Sequence, residues 1–259
     1  MPKFCANLTM LYNEVGFAER FARAAKDGFK GVEYLFPYAY PKEQLAAELA
    51  KHKLEQVLHN LPAGDWAKGE RGIAVLPDRV GEFQDGVGQA IEYAKALGCR
   101  QLNCLAGIVP QDADADTVRQ TFVANLKFAA QKLKAAGIKL LVEAVNTYDI
   151  AGFYVRGTRQ TLDLIGASGS DNIFVQYDIY HMQRMEGELA ATIKKHLGQI
   201  GHIQVADNPG RNEPGTGEIN YPFLFQWLEE IGYKGWIGCE YKPKSETSAG
   251  LGWVKPYLR

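Results

Sequence analysis

The sequence predicts an α/β fold, a single (β/α)8 TIM barrel in which residues 1–259 form one domain. Three observations lead there. Eight short apolar runs alternate with helical patterns, at intervals of about 25 to 45 residues, which implies parallel strands joined by right-handed crossovers. The 259-residue length is that of one such barrel, and no composition break or Ser/Pro-rich linker divides it. The alternative, an open doubly wound sheet, usually carries a glycine-rich first strand–helix turn; here the first run is followed by TMLYNE, with no GxGxxG.

The runs read in order as follows. Lys3–Leu8 is the first strand, and Asn13–Glu14 open a helix with Phe17, Phe21 and Ala24 at helical spacing that ends at Gly28. Gly31–Leu35 is the second strand, and Pro41 leads into a helix over Lys42–His52. Leu54–Asn60 is the third. The long glycine-rich loop after it carries Trp66 and Arg71 and reads as a lid. Val80–Leu97 is a helix stopped by Gly98, Gln101–Ala106 the fourth strand, and Asp114–Ala136 the longest helix, stopped by Gly137. Lys139–Asn146, KLLVEAVN, is a buried fifth strand; a helix from Thr158 to Ile165 precedes the sixth, Asn172–Asp178. A loop, IYHMQRMEG, leads to a helix over Glu188–His196 and the seventh strand, His202–Ala206. A turn-rich loop, a helix over Tyr221–Ile231 and the eighth strand, Trp236–Tyr241, complete the barrel.

A net charge of −1 without a basic block argues against nucleic acid or a membrane surface as partner. No secretory signal or membrane-length run is visible. Cys5, Cys99, Cys104 and Cys239 have no CxxC spacing and read as buried free thiols, which suits a cytoplasmic location. Trp253 and Tyr257 mark either a homo-oligomer interface or a cover for the barrel base.

Strands five to eight share a design: each ends at or near a polar oxygen donor, namely Glu143, Asp178, Gln204 or Asp207, and Glu240. An unpaired buried carboxylate is costly, so such acids need a cation, a proton or a network. In a barrel the four ends meet on one rim, and three carboxylates with an amide oxygen form a hard set suited to Mg²⁺ or Mn²⁺. Alternation along HIQVAD puts Gln204 and Asp207 on opposite faces without saying which faces the lumen.

The stretches VEAVN (142–146), YDIYHM (177–182), HIQVADNPGRNEPGTGEINY (202–221) and GWIGCEYKP (235–243), with FPYAYP and HNLPAGDW, resemble the hydroxypyruvate isomerase family of xylose-isomerase-like barrels, whose relatives include 2-oxo-tetronate isomerases and ketose 3-epimerases. The resemblance covers nearly the whole chain. It implies that Glu143, Asp178, Gln204 and Glu240 bind a divalent metal, and that Glu143 and Glu240 exchange protons with a small hydroxy-oxo acid through an enediolate. It also selects Gln204 over Asp207 and makes His181 a partner of a substrate oxygen. His59, at the end of strand three, is a similar candidate. Arg211 is a candidate for the substrate carboxylate, with Arg71 and Lys242 as rivals. The implied reaction interconverts hydroxypyruvate and 2-hydroxy-3-oxopropanoate. The alternatives are 2-oxo-tetronate isomerisation, ketose 3-epimerisation, a metal-dependent phosphodiesterase, and a non-catalytic sugar-acid binder.

Overall fold

The structure, a computed structural model that describes residues 1–258, is a closed eight-stranded parallel barrel. Its strands are β1 (Lys3–Asn7), β2 (Gly31–Glu33), β3 (Glu55–Asn60), β4 (Gln101–Cys104), β5 (Lys139–Glu143), β6 (Ile173–Asp178), β7 (Ile200–Val205) and β8 (Trp236–Cys239). Each pairs with the next, and β8 returns to β1. The helices are α1 (Phe17–Lys26), α2 (Lys42–His52), α3 (Val80–Leu97), α4 (Ala115–Ala135), α5 (Thr158–Ser168), α6 (Ile179–Met185), α7 (Leu189–His196), α8 (Tyr221–Glu230) and α9 (Thr247–Gly250). No described helix is long and apolar enough to cross a membrane.

Local signals set the helix ends. Asp114 accepts the Thr117 backbone N–H to cap α4, and Gly98, at φ 66°, ends α3 in a conformation that costs glycine little. Two readings differ. Residues 13–16 form turns rather than the start of α1, because Glu14 accepts instead from the backbone N–H and hydroxyl of Thr247. The stretch IYHMQRM, expected as loop, is α6. Its N-cap is Asp178, whose carboxylate accepts the backbone N–H groups of Tyr180 and His181. Trp253 and Tyr257 pack on Phe4 and Phe225 and cover that part of the core.

The lumen has an apolar lower half and a polar upper half. Cys5, Val57, Leu58 and Leu141 pack there with Phe174 and Trp236. Lys139 and Lys3 lay their ammonium groups over the Phe174 and Trp236 rings at 4.7 and 5.1 Å. Above them stand Asn7, Glu33, Asn103, Glu143, Gln204 and Glu240, all buried. Two register shifts adjust which side chains point inward. Val57 is the extra residue of β3 opposite Val32 and Glu33, and Gly201 is the extra residue of β7 opposite Val175 and Gln176. Gly201 is required by space: a Cβ there would lie 2.6 Å from Leu141 Cδ2 and 3.0 Å from Phe174 Cβ. Gly201→Ala is therefore expected to cost about 1–3 kcal/mol in a denaturant titration; an unchanged midpoint would show that the lumen is not close-packed here.

Candidate active site

Glu143 ends β5, Asp178 ends β6, Gln204 stands on β7 and Glu240 follows β8 directly. All four are buried. The register shift at Gly201 puts His202 and Gln204 on the lumen side, where they meet Glu33. Asp207 faces away. Its carboxylate accepts the backbone N–H groups of Asn208, Gly215, Gly217 and Ile219 at 2.8–3.1 Å and so fixes the loop after β7. That loop carries Arg211, whose Nη2 lies 2.9 Å from Glu240 Oε1 and 4.0 Å from Asp178 Oδ2.

His181, on α6, points its Nε2 at Asp178 Oδ2 (3.6 Å) and Glu143 Oε1 (3.9 Å). Its Nδ1 accepts from the backbone N–H of Asn146 (3.4 Å) and lies 2.6 Å from Asn146 Nδ2. The proton therefore sits on Nε2, facing the carboxylates. Burial is the main cause that pulls the imidazole down to about 4, so it is a neutral donor at pH 7.

Glu143 and Glu240 are displaced upward. Burial and the charges of Glu240 and Asp178 raise Glu143 well above the usual range. Burial, with Asp178 and Glu33 adding to it against the pull of Arg211, lifts Glu240 to about 8. Asn103 Nδ2 donates to Glu143 Oε2 (3.0 Å), leaving Oε1 toward the cavity.

The cavity holds about 200 Å³ and is lined by Glu143, His181, Gln204, Arg211, Glu240 and Glu33, with Asn7, Asn60, Leu58, Leu105 and Trp66 among the other walls. It is smaller than the roughly 300–1,000 Å³ of sites for drug-sized ligands. Trp66 packs at a tilt against Phe36 (5.1 Å, 58°) and lines the cavity, and the Arg71 guanidinium lies on its ring at 4.2 Å. Arg211 is the one lysine or arginine among the described lining residues; Arg71 and Lys242 are not among them.

His59 does not join the others. Asn60 and Leu58 line the cavity, while His59 packs edge-on against Tyr38 at 6.1 Å. The cause is the extra residue at Val57. Val57 packs in the lumen, and regular alternation from it would turn His59 inward; the shift hands that face to Leu58 and Asn60. Asn7, Glu33, Asn103 and Gln176 were not anticipated. Glu33 obeys the same rule as the other acids, a carboxylate at the end of an apolar strand, and was readable by it.

The residues fit a divalent ion in part. Asp178 Oδ2 is buried without a hydrogen-bond partner among the described residues, and the three carboxylates have only Arg211 against them. Gln204 fits less well. Its Nε2 donates to Glu33 Oε1 (2.8 Å) and to Glu240 Oε2, and its oxygen accepts from Gln176 Nε2 (2.6 Å), so ligation requires the amide to turn over.

Residues 21–257 match the family model of the xylose isomerase-like TIM barrel. The chain belongs to that family, and within it to the hydroxypyruvate isomerase group, a group of isomerases. It is 55% identical to the hydroxypyruvate isomerase of Escherichia coli, over 99% of this chain and 100% of that one. It is 47% identical to the 2-oxo-tetronate isomerase of Cupriavidus necator, over 100% and 99%. A Brucella melitensis crystal structure titled AP endonuclease, family 2 superposes with a TM-score of 0.97 at 46% identity, covering 99% of each chain.

Burial also pulls His59 down to about 3, and neither ring nitrogen has a partner among the described residues. A histidine kept neutral in the folded state supplies stability above its unfolded pKa, which is lost progressively as pH falls from about 6.5 toward 3. His59→Leu should therefore lose about 2 kcal/mol less than the parent between pH 8 and pH 5 in urea titrations. Parallel losses would show that His59 does not titrate with unfolding.

Proposed function

We propose that the chain, acting as one barrel domain, interconverts hydroxypyruvate and 2-hydroxy-3-oxopropanoate by proton transfer between Glu143 and Glu240. The observation that carries this reading is that both glutamates, each raised by burial and like charge, face one small cavity in which, among the described residues, Arg211 is the one lysine or arginine. The identity to the E. coli enzyme supports it.

The reaction removes a proton from C3 of hydroxypyruvate, passes through an enediolate in which the hydroxyl proton moves from O3 to O2, and returns a proton to C2, leaving a C3 aldehyde and a C2 hydroxyl. Arg211 receives the substrate carboxylate in paired hydrogen bonds and thereby orients C2 and C3 between the glutamates. The coupled acids cannot both ionise cheaply, so one holds a proton while the other accepts one, and the roles exchange in the reverse direction. The neutral His181 offers its Nε2–H to the oxygen on which enediolate charge grows. Trp66 and Phe36 limit water at the mouth. A divalent ion, Mg²⁺ or Mn²⁺, would be held by Glu143, Asp178 and Glu240, with Gln204 joining after its amide turns; it supplies Lewis-acid stabilisation of the enediolate.

The four-carbon reaction of 2-oxo-tetronate isomerases uses the same centre and differs only at the rim. A phosphodiesterase acting on DNA is disfavoured by the small cavity, by the single imidazole at the carboxylates and by the net charge of −1.

The test is proton NMR of the protein with hydroxypyruvate in D₂O, after EDTA and after Mg²⁺ or Mn²⁺ is restored. Aldehyde formation with deuterium entering carbon is expected, lost with EDTA and regained with the ion; turnover that persists in EDTA removes the metal from the reading. Silence with hydroxypyruvate and with four-carbon 2-oxo acids removes the isomerase. Glu240→Gln should lower kcat by roughly 10²–10⁴-fold. Arg211→Met should raise KM by about 10–100-fold, with a smaller change in kcat. An unchanged KM would return the carboxylate to another partner.

A further inference from the structure

One polar side chain of the cavity wall takes no part in the proton transfers above. It is Asn60, the last residue of β3, 6% exposed. Its backbone is fixed from two sides: the N–H donates to the Leu35 carbonyl (2.8 Å), and the carbonyl accepts the Tyr38 hydroxyl (2.5 Å). Asn60 lines the cavity, and its carboxamide forms no hydrogen bond among the described residues. Other amides of the wall are engaged. Asn7 Nδ2 donates to Glu33 (2.9 Å), and Gln176 Nε2 donates to Gln204 (2.6 Å). A buried amide with its oxygen and both hydrogens unused is costly, and it suits a partner that can both give and take a hydrogen bond. The rest of the wall supplied by β3, β4 and the loops after them is Leu58, Leu105 and Trp66. Asn60 is therefore the one amide on an otherwise apolar and aromatic side of the cavity.

Its place in the ring decides what can reach it. β3 and β7 lie four places apart in the closed ring of eight, so they face each other across the lumen. Arg211 comes from the loop after β7, and its guanidinium stands between Asp178, at the end of β6, and Glu240, after β8. A line from Arg211 to Asn60 crosses the mouth, with β4, β5 and β6 on one side and β8, β1 and β2 on the other. Glu143 belongs to the first side and Glu240 to the second. A chain held by its carboxylate at Arg211 thus lays C2 and C3 between the two glutamates. A three-carbon acid ends there, with both its C2 and C3 oxygens taken up by the reaction. A fourth carbon continues from C3, on the side away from C1 and toward Asn60.

We propose that Asn60 is the specificity-determining residue for the far end of the substrate: its carboxamide binds the C4 hydroxyl of a four-carbon 2-oxo-3,4-dihydroxy acid, the oxygen accepting the O–H and Nδ2 donating to the hydroxyl oxygen. The proposal rests on the reading of Arg211 as the carboxylate partner and of the glutamates as the acid–base pair. The four-carbon acid reacts as the three-carbon one does. C3 loses its proton, the hydroxyl proton passes from O3 to O2, and C2 gains a proton, which leaves a ketone at C3 and the C4 hydroxyl untouched. The bond to Asn60 is then made equally before and during the reaction, so its loss shows in KM rather than kcat. Hydroxypyruvate has no C4, and Asn60 does not act on it.

The test compares substrates first and variants second. The parent, Asn60→Leu and Asn60→Ala are assayed by NMR in D₂O, with Mg²⁺ or Mn²⁺ supplied and thermal unfolding to confirm folded protein. The substrates are hydroxypyruvate, both enantiomers of the four-carbon acid, and its 4-deoxy analogue, 2-oxo-3-hydroxybutanoate. The parent is expected to favour one enantiomer of the four-carbon acid over the 4-deoxy analogue by about 10–100-fold in kcat/KM. Asn60→Leu should remove that preference by raising KM for the four-carbon acid, with hydroxypyruvate changed by no more than about threefold. A parent that turns over hydroxypyruvate but rejects the four-carbon acid, or treats it and its 4-deoxy analogue alike, overturns the proposal without any variant. A folded variant that keeps the preference, or that loses as much on hydroxypyruvate as on the four-carbon acid, also overturns it. These outcomes leave the isomerase reading standing. Silence of the parent with every acid removes that reading, and the proposal with it.

Discussion

Everything in the upper lumen answers to one electrostatic problem, three buried carboxylates at the ends of β5, β6 and β8 on one side of the barrel. At an effective dielectric near 20, two unit charges about 4 Å apart repel by about 4 kcal/mol. Glu143, Asp178 and Glu240 cannot all be charged in that space without help. The closed barrel forbids the usual escape, which is for the side chains to swing into water. The help is therefore built in. Arg211 reaches in from the loop after β7, Asn103 donates to Glu143, Gln204 donates to Glu240, and Asp178 spends one oxygen on the first turn of α6.

That help stops short of neutrality. One guanidinium faces three acids, and Asp178 Oδ2 has no hydrogen-bond partner among the described residues. The shortfall appears as raised proton affinity on Glu143 and Glu240. Acids that hold protons near neutral pH suit proton transfer at a carbon, because the giving and taking forms are then both populated. Glu33, two strands on from Glu240 around the barrel, shows the contrast. With four donors, from Asn7, Gln204, His202 and Cys5, it stays ionised and inert, although it is as deeply buried. The same residue type does opposite work according to how many donors reach it.

The barrel and its four polar-tipped strands were legible because they depend on local signals: apolar runs, glycine stops, and a polar oxygen where each run ends. What failed to show depends on pairing between strands. The extra residues at Val57 and Gly201 leave no mark in composition, yet they decide that His59 faces outward and that Gln204 faces in. Alternation alone left Gln204 and Asp207 undecided. The structure separates them by the backbone donors that converge on Asp207. Helix α6 was hidden for a related reason, since its cap is the same Asp178 that reads as a strand end. Glu33 was overlooked because the apolar run reads on through Tyr34 and Leu35, which hides that β2 ends at Glu33.

The two glutamates are not burdened alike, and this bears on how binding is coupled to reaction. Glu143 gives one oxygen to Asn103 and turns the other toward His181, 3.9 Å away, with no donor among the described residues within hydrogen-bonding distance. Glu240 has both oxygens engaged, one by Gln204 and one by Arg211. Of its two partners Arg211 is the one an incoming carboxylate draws on directly, while the Gln204 amide is also bonded to Glu33 and Gln176. A carboxylate arriving in the cavity competes with Glu240 for the guanidinium. To the extent that it succeeds, Glu240 loses the cation that was lowering its proton affinity. Its basicity then rises only when a ligand of the right charge is present. The buried acid is thus guarded in the empty site and released in the occupied one, with a single arginine as the shared partner.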